Sequence, residues 1–151
     1  WGEIDYLIID TPPGTGDVQL TLLQRIPLTS SIVVTTPQEV SVSDCKKGIE
    51  MIKKLELPIS GLIENMSWFQ PNADEKKYYL FGKDGGKHLA EEYSLELLGQ
   101  LPLIESTEKS SFVDNESLKI EFLKIADKLV KSAETLKEKK PNEIPQINVT
   151  E

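Results

Sequence analysis

One cysteine, Cys45, and one histidine, His88, occur in 151 residues. A lone thiol closes no disulfide within the chain, so the expected compartment is a reducing one, the cytoplasm. No apolar run reaches membrane-spanning length and no signal-like apolar core is present, so no membrane partner is expected. Positive charge is also in short supply. Seventeen Lys and Arg stand against 25 Asp and Glu, a formal charge of -8. That balance disfavours broad attraction to a phosphate backbone, and nucleic acid is not an expected partner. Three Asn-x-Ser/Thr strings, at Asn65, Asn115 and Asn148, are chance matches in such a compartment.

What is present suffices for one domain: 38% of the residues are hydrophobic, enough for a usable core if that core is complete within the chain. The sequence starts at Trp1 rather than Met and runs at once into the apolar residues 6–9, as an internal fragment would. Further apolar runs of strand length fall at 31–35, 59–63 and 95–101. Between them Val42, Cys45, Ile49, Ile52 and Leu55 recur at helical spacing, with Pro58 beyond to help stop the helix. Leu89, Ala90 and Tyr93 mark a shorter helix opened by Gly85 and Gly86. From Asn115 a long helix is predicted, with a stripe of Leu118, Phe122, Ile125, Leu129, Val130, Ala133 and Leu136. Strands that alternate with helices, and are apolar without clean alternation, predict an α/β fold with a doubly wound, mainly parallel sheet. Residues 141–151 carry two prolines and little periodicity, and are expected to be a loose tail after a domain portion spanning 1–140.

Chemistry concentrates at residues 5–17, Asp-Tyr-Leu-Ile-Ile-Asp-Thr-Pro-Pro-Gly-Thr-Gly-Asp. An apolar strand ending in Asp10 places a carboxylate at the C-terminal edge of a parallel sheet, where open α/β folds bind ligands. The Pro-Pro-Gly-Thr-Gly turn that follows lets backbone approach a phosphate closely. A plainer alternative is a strand-to-helix turn, with Asp17 as N-cap of a helix over 18–25.

The whole string resembles the switch II segment of the Mrp family, MinD-like P-loop ATPases that carry iron-sulfur clusters. Similarity continues through 33–40, Asp44, 47–51 and 61–67, and resumes at 79–82 and 97–103. This resemblance implies an ATP- and magnesium-dependent ATPase, dimeric, with nucleotide at the subunit interface and iron-sulfur apo-proteins or assembly factors as partners. It assigns Asp10 to assist magnesium and hydrolysis, and Gly14, Thr15 and Gly16 to the phosphate-sensing switch. Asn65 matches the position that hydrogen-bonds adenine, and Pro102 begins the loop over the base.

Two departures limit what the resemblance transfers. The family's Lys-rich P-loop, which it places upstream of the Asp10 strand, is absent from these 151 residues, so the chain alone is not expected to hydrolyse ATP. Where many members carry Cys-Pro-x-Cys, the sequence reads Gln70-Pro71-Asn72-Ala73, and no cluster ligand is identified. Two function classes follow: an ATP-dependent cluster carrier or scaffold, or a MinD/ParA-like switch in which nucleotide controls dimerisation and partner binding without a cluster.

Overall fold

The structure, a computed structural model, describes residues 2–12, 14, 16–71, 76–104 and 116–139. The elements run α1 (Asp17–Arg25), β1 (Ser31–Thr35), α2 (Glu39–Lys54), β2 (Ile59–Glu64), α3 (Gly85–Tyr93), β3 (Leu97–Gln100) and α4 (Glu116–Lys139). The three strands form one parallel sheet in the order β1-β2-β3. Parallel neighbours need crossovers, and α2 and α3 supply them.

Each face of the sheet has its own core. On one, Val33 and Leu62 pack with Ile49 of α2 and with Leu89 and Ala90 of α3. On the other, Leu98 and Leu101 pack with Leu118 and Ile125 of α4. Helices therefore cover both sides, the doubly wound arrangement expected from strands without clean alternation. The expected stripe of α2 holds: Ile49 and Ile52 are buried, while Val42 and Cys45 pack at the core's margin. On α4 the stripe holds at Leu118, Ile125 and Leu129, whereas Phe122 is exposed.

Gly61 adopts φ +153° at the centre of β2, where a Cβ would lie 2.6 Å from Leu98 Cγ and 2.7 Å from the Glu96 carbonyl oxygen. A side chain there would wedge β2 away from β3. The left-handed conformation of Glu56, with Leu57 N–H donating to the Ile52 carbonyl, turns the chain out of α2 ahead of Pro58.

One expected strand is not formed. Residues 6–9 take no regular secondary structure and pair with no strand among the described residues, and Ile8 is 83% exposed. A strand exists through its ladder of hydrogen bonds, and among the described residues β1 pairs with β2 alone, leaving its other edge open. Ile32 and Val34 on β1 are exposed as well. The helix after the turn begins one residue earlier than expected: Gly16 is its N-cap and Asp17 lies in its first turn, where a carboxylate still complements the helix dipole. The expected tail at 141–151 lies outside the described residues.

Candidate functional site

The C-terminal ends of β2 and β3 are joined by a lattice of main-chain hydrogen bonds. Asn65 N–H donates to the Thr35 carbonyl at 2.7 Å, Leu101 N–H to Glu64 at 2.8 Å, Ser67 N–H to Leu101 at 2.9 Å and Leu103 N–H to Trp68 at 2.7 Å. The turn after β2 thus runs alongside the segment after β3. Met66 takes the left-handed conformation, φ 54°, and its N–H donates to Asn65 Oδ1 at 2.9 Å.

Between these two segments and α4 lies a cavity of about 230 Å³. Asn65, Met66 and residues 101–104 form its floor and sides, and Leu118 and Phe122 of α4 complete the wall. Its volume is below the roughly 300–1,000 Å³ of pockets that enclose whole drug-sized ligands. Apolar side chains predominate, with the Asn65 amide supplying N–H donors and an Oδ1 that already accepts Met66 N–H and keeps a second lone pair.

The sequence-predicted residues fall into two sets. Asn65 and Pro102, 37 positions apart by their numbers, share this cavity. Asp10, Gly14 and Gly16 are exposed and precede α1 without regular secondary structure, with Gly14 at φ 92°. Asp10 makes no hydrogen bond or ion pair with any described residue, and Thr15 lies outside the described residues. No described contact ties this set to the Asn65–Pro102 cavity.

The segment from Trp68 onward, where the sequence resemblance expects a cysteine loop, leaves the same lattice. Phe69 and Tyr78 exchange backbone hydrogen bonds of 2.8 Å, closing a loop, and Lys77 Nζ stands 3.7 Å from the Trp68 ring centroid. Asn72 and Ala73 lie outside the described residues. Among the described residues no three His, Cys, Asp or Glu side chains converge. Cys45 is elsewhere: its Sγ donates to the Val34 carbonyl at 3.3 Å, and burial, with Asp44 adding, pushes the thiol above its usual 9.0 against a lowering hydrogen bond from Thr35.

Comparison with known proteins decides the lineage. The family model for ParA, described as NUBPL iron-transfer P-loop NTPase, matches residues 1–136. The chain belongs to this family. An iron-sulfur cluster carrier protein of Methanocaldococcus jannaschii is 48% identical over 146 residues, covering 91% of this chain and 50% of that protein. The carrier of Aquifex aeolicus is 44% identical over 144 residues, covering 89% of this chain and 39% of its own length. A mouse iron-sulfur cluster transfer protein, NUBPL, is 45% identical over 111 residues, 74% of this chain and 35% of that protein. The chain thus spans half or less of the length of these relatives. Among solved structures, a nucleotide-binding protein of Archaeoglobus fulgidus in complex with ADP superposes with a TM-score of 0.61 at 28% identity, over 99% of this chain and 55% of that one.

Within this NTPase family frame, the cavity adds residues that sequence reasoning missed. Leu118 and Phe122 read as ordinary core stripe, and nothing in their spacing signals that α4 returns to wall off Asn65. Met66 and Leu103 lie inside matched stretches but drew no role, and Ile104 carried no signal. Glu64, inside a matched stretch, drew no role, although a carboxylate within an apolar strand is itself a signal.

Proposed function

We propose that this chain supplies the base-binding and switch portion of an ATP-dependent iron-sulfur cluster carrier. The observation that carries the reading is the single cavity that brings Asn65 and Pro102 together at the C-terminal edge of the parallel sheet, where open α/β folds hold ligands. Family membership supports the nucleotide, and the printed functions of the relatives support the cargo.

In this reading the Asn65 amide meets the Watson–Crick or Hoogsteen edge of adenine, Pro102 and Leu103 lie against one face of the ring, and Leu118 and Phe122 shield it from water. Asp10 would help hold magnesium, which supplies charge neutralisation at the transferring phosphoryl group. Gly14, Thr15 and Gly16 would register whether a terminal phosphate is present. A phosphate-binding loop completes the site in the family pattern, so nucleotide affinity resides in this chain only in part. A homodimer, delivery of the cluster to apo-proteins and a cytoplasmic setting belong to the same proposal. No helix among the described residues is long and apolar enough to cross a membrane.

The cluster-free switch is favoured by one observation, the amide and methyl groups at Gln70 and Ala73 where thiolates would stand. The three sequence relatives compared above are described as cluster carrier or transfer proteins, which favours the carrier. The test joins this chain to the phosphate-binding portion of a relative and measures ATP and GTP affinity by calorimetry. Asn65→Ala is expected to weaken ATP roughly tenfold, from lost hydrogen bonding, and to change GTP little. Equal losses for both nucleotides would remove the base-recognition role from Asn65.

A further inference from the structure

Glu64 is the last residue of β2 and its side chain is wholly buried, 0% exposed. Carboxylates are almost never buried this completely without a partner, because a charge taken out of water loses its hydration. Among the described residues no cation pairs with it. Its two oxygens are instead met by two N–H donors. Gly86 N–H donates to Oε2 at 2.5 Å, and Gln100 Nε2 donates to Oε1 at 2.8 Å. The first is one of the amides that the opening turn of α3 leaves without a helical acceptor, at the end of the helix that favours negative charge. The second comes from the end of β3.

The same residue holds the other side through its main chain. Its carbonyl accepts both Leu101 N–H at 2.8 Å and Ser67 Oγ at 2.9 Å. One buried acid therefore pins α3, the end of β3, the start of the 101–104 segment and the 65–67 turn. Asn65 is its immediate neighbour, and Pro102 follows the residue bonded to its carbonyl. Packing around it leaves no slack: a Cβ on Gly86 would lie 2.9 Å from Glu64 Cβ and 3.0 Å from Thr35 Cγ2.

Resting on the reading of the cavity as a base site, we infer that Glu64 is the positioning residue for base recognition, fixing the Asn65 amide against the Pro102 segment before ligand arrives. Two converging donors require two acceptors, which a carboxylate supplies and an amide does not. Gln100 has a reason not to turn its amide over, because Nε2 also donates to Asp84 Oδ1 at 3.2 Å. Glu64→Gln therefore sets an N–H group against a donor and tilts the turn that carries Asn65. Gln100→Met removes one donor while leaving the Gly86 bond, and gives a milder version of the same fault.

This chain, joined to the phosphate-binding portion of a relative, is titrated with the triphosphates of adenosine and, separately, guanosine, following the Asn65 side-chain amide by 15N-resolved NMR. Wild type is expected to prefer the adenosine triphosphate. Glu64→Gln should cut that preference about tenfold, with Gln100→Met intermediate. A purely structural defect lowers the folded fraction and weakens both nucleotides alike, leaving their ratio unchanged. Variants that keep the wild-type ratio overturn the inference while leaving the base site standing. A wild type with no preference between the nucleotides overturns the base site, and the inference with it. Gln100→Met provides the reading where Glu64→Gln does not fold.

Discussion

At Cys45 the sequence suggests a small buried hydrophobe on a helix, and the structure refines that to a half-buried thiol donating to the Val34 carbonyl. Burial, the largest cause, and then Asp44 raise its pKa above 9.0, and the Thr35 hydrogen bond only partly offsets them. The sign of the linkage follows. The unfolded chain ionises this thiol first, so its contribution to stability is complete below 9.0 and is lost as pH rises through the higher folded value. Urea unfolding of wild type and Cys45→Ala should therefore differ by a constant amount from neutral pH up to about 9, and the gap should narrow above it. A gap that stays constant in alkali would mean that folding does not perturb this thiol. Iodoacetamide should also label Cys45 more slowly than a free cysteine at neutral pH, since the thiolate is the reacting form.

Among the elements, what was legible was what has a period. The stripes of α2 and α4 and the apolar runs of β1 to β3 announce themselves locally, because burial on one helix face or on both sheet faces writes itself into spacing. Residues 6–9 carry the same apolar signal, yet among the described residues no ladder partner pairs with them, and a partner is not a property of the segment itself. The site divides in the same way. Asn65 and Pro102 came from resemblance, and a cavity joins them, whereas Leu118 and Phe122 reach it only because α4 packs back across β3 and β2. Gly61 shows how tightly two elements are matched: its left-side φ and the 2.6 Å approach that a Cβ would make to Leu98 leave β2 no room for a side chain. Gly61→Ala is expected to destabilise the chain by roughly 2–3 kcal/mol, from overpacking with strained backbone added. Chemical denaturation is the measurement, and a loss under about 0.5 kcal/mol, the size of an ordinary surface change, would show that β2 and β3 separate freely.

For the molecule as a whole, β1 has an open edge among the described residues, Ile4, Leu7 and Ile8 are exposed, and the chain spans half or less of the length of the relatives compared. Iron-sulfur clusters are usually held by four thiolates, and this sequence has one cysteine, engaged with the Val34 carbonyl on the packed face of α2. Two copies of the chain in a symmetric dimer would bring two such thiols, at positions remote in sequence from Gln70 and Ala73, where the resemblance expects cysteines. The 151-residue chain, reconstituted anaerobically with iron and sulfide, is therefore expected to hold no stoichiometric cluster. Gln70→Cys with Ala73→Cys restores the Cys-Pro-x-Cys spacing, and the loop it enters leaves the hydrogen-bonded lattice that joins Trp68 to Leu103. Two loops meeting across a dimer would then present four thiolates, and iron, sulfide and the visible charge-transfer absorbance should rise together. A cluster that survived desalting on the unaltered chain, and persisted after Cys45→Ser, would require ligands other than cysteine and would reverse the argument from thiol count.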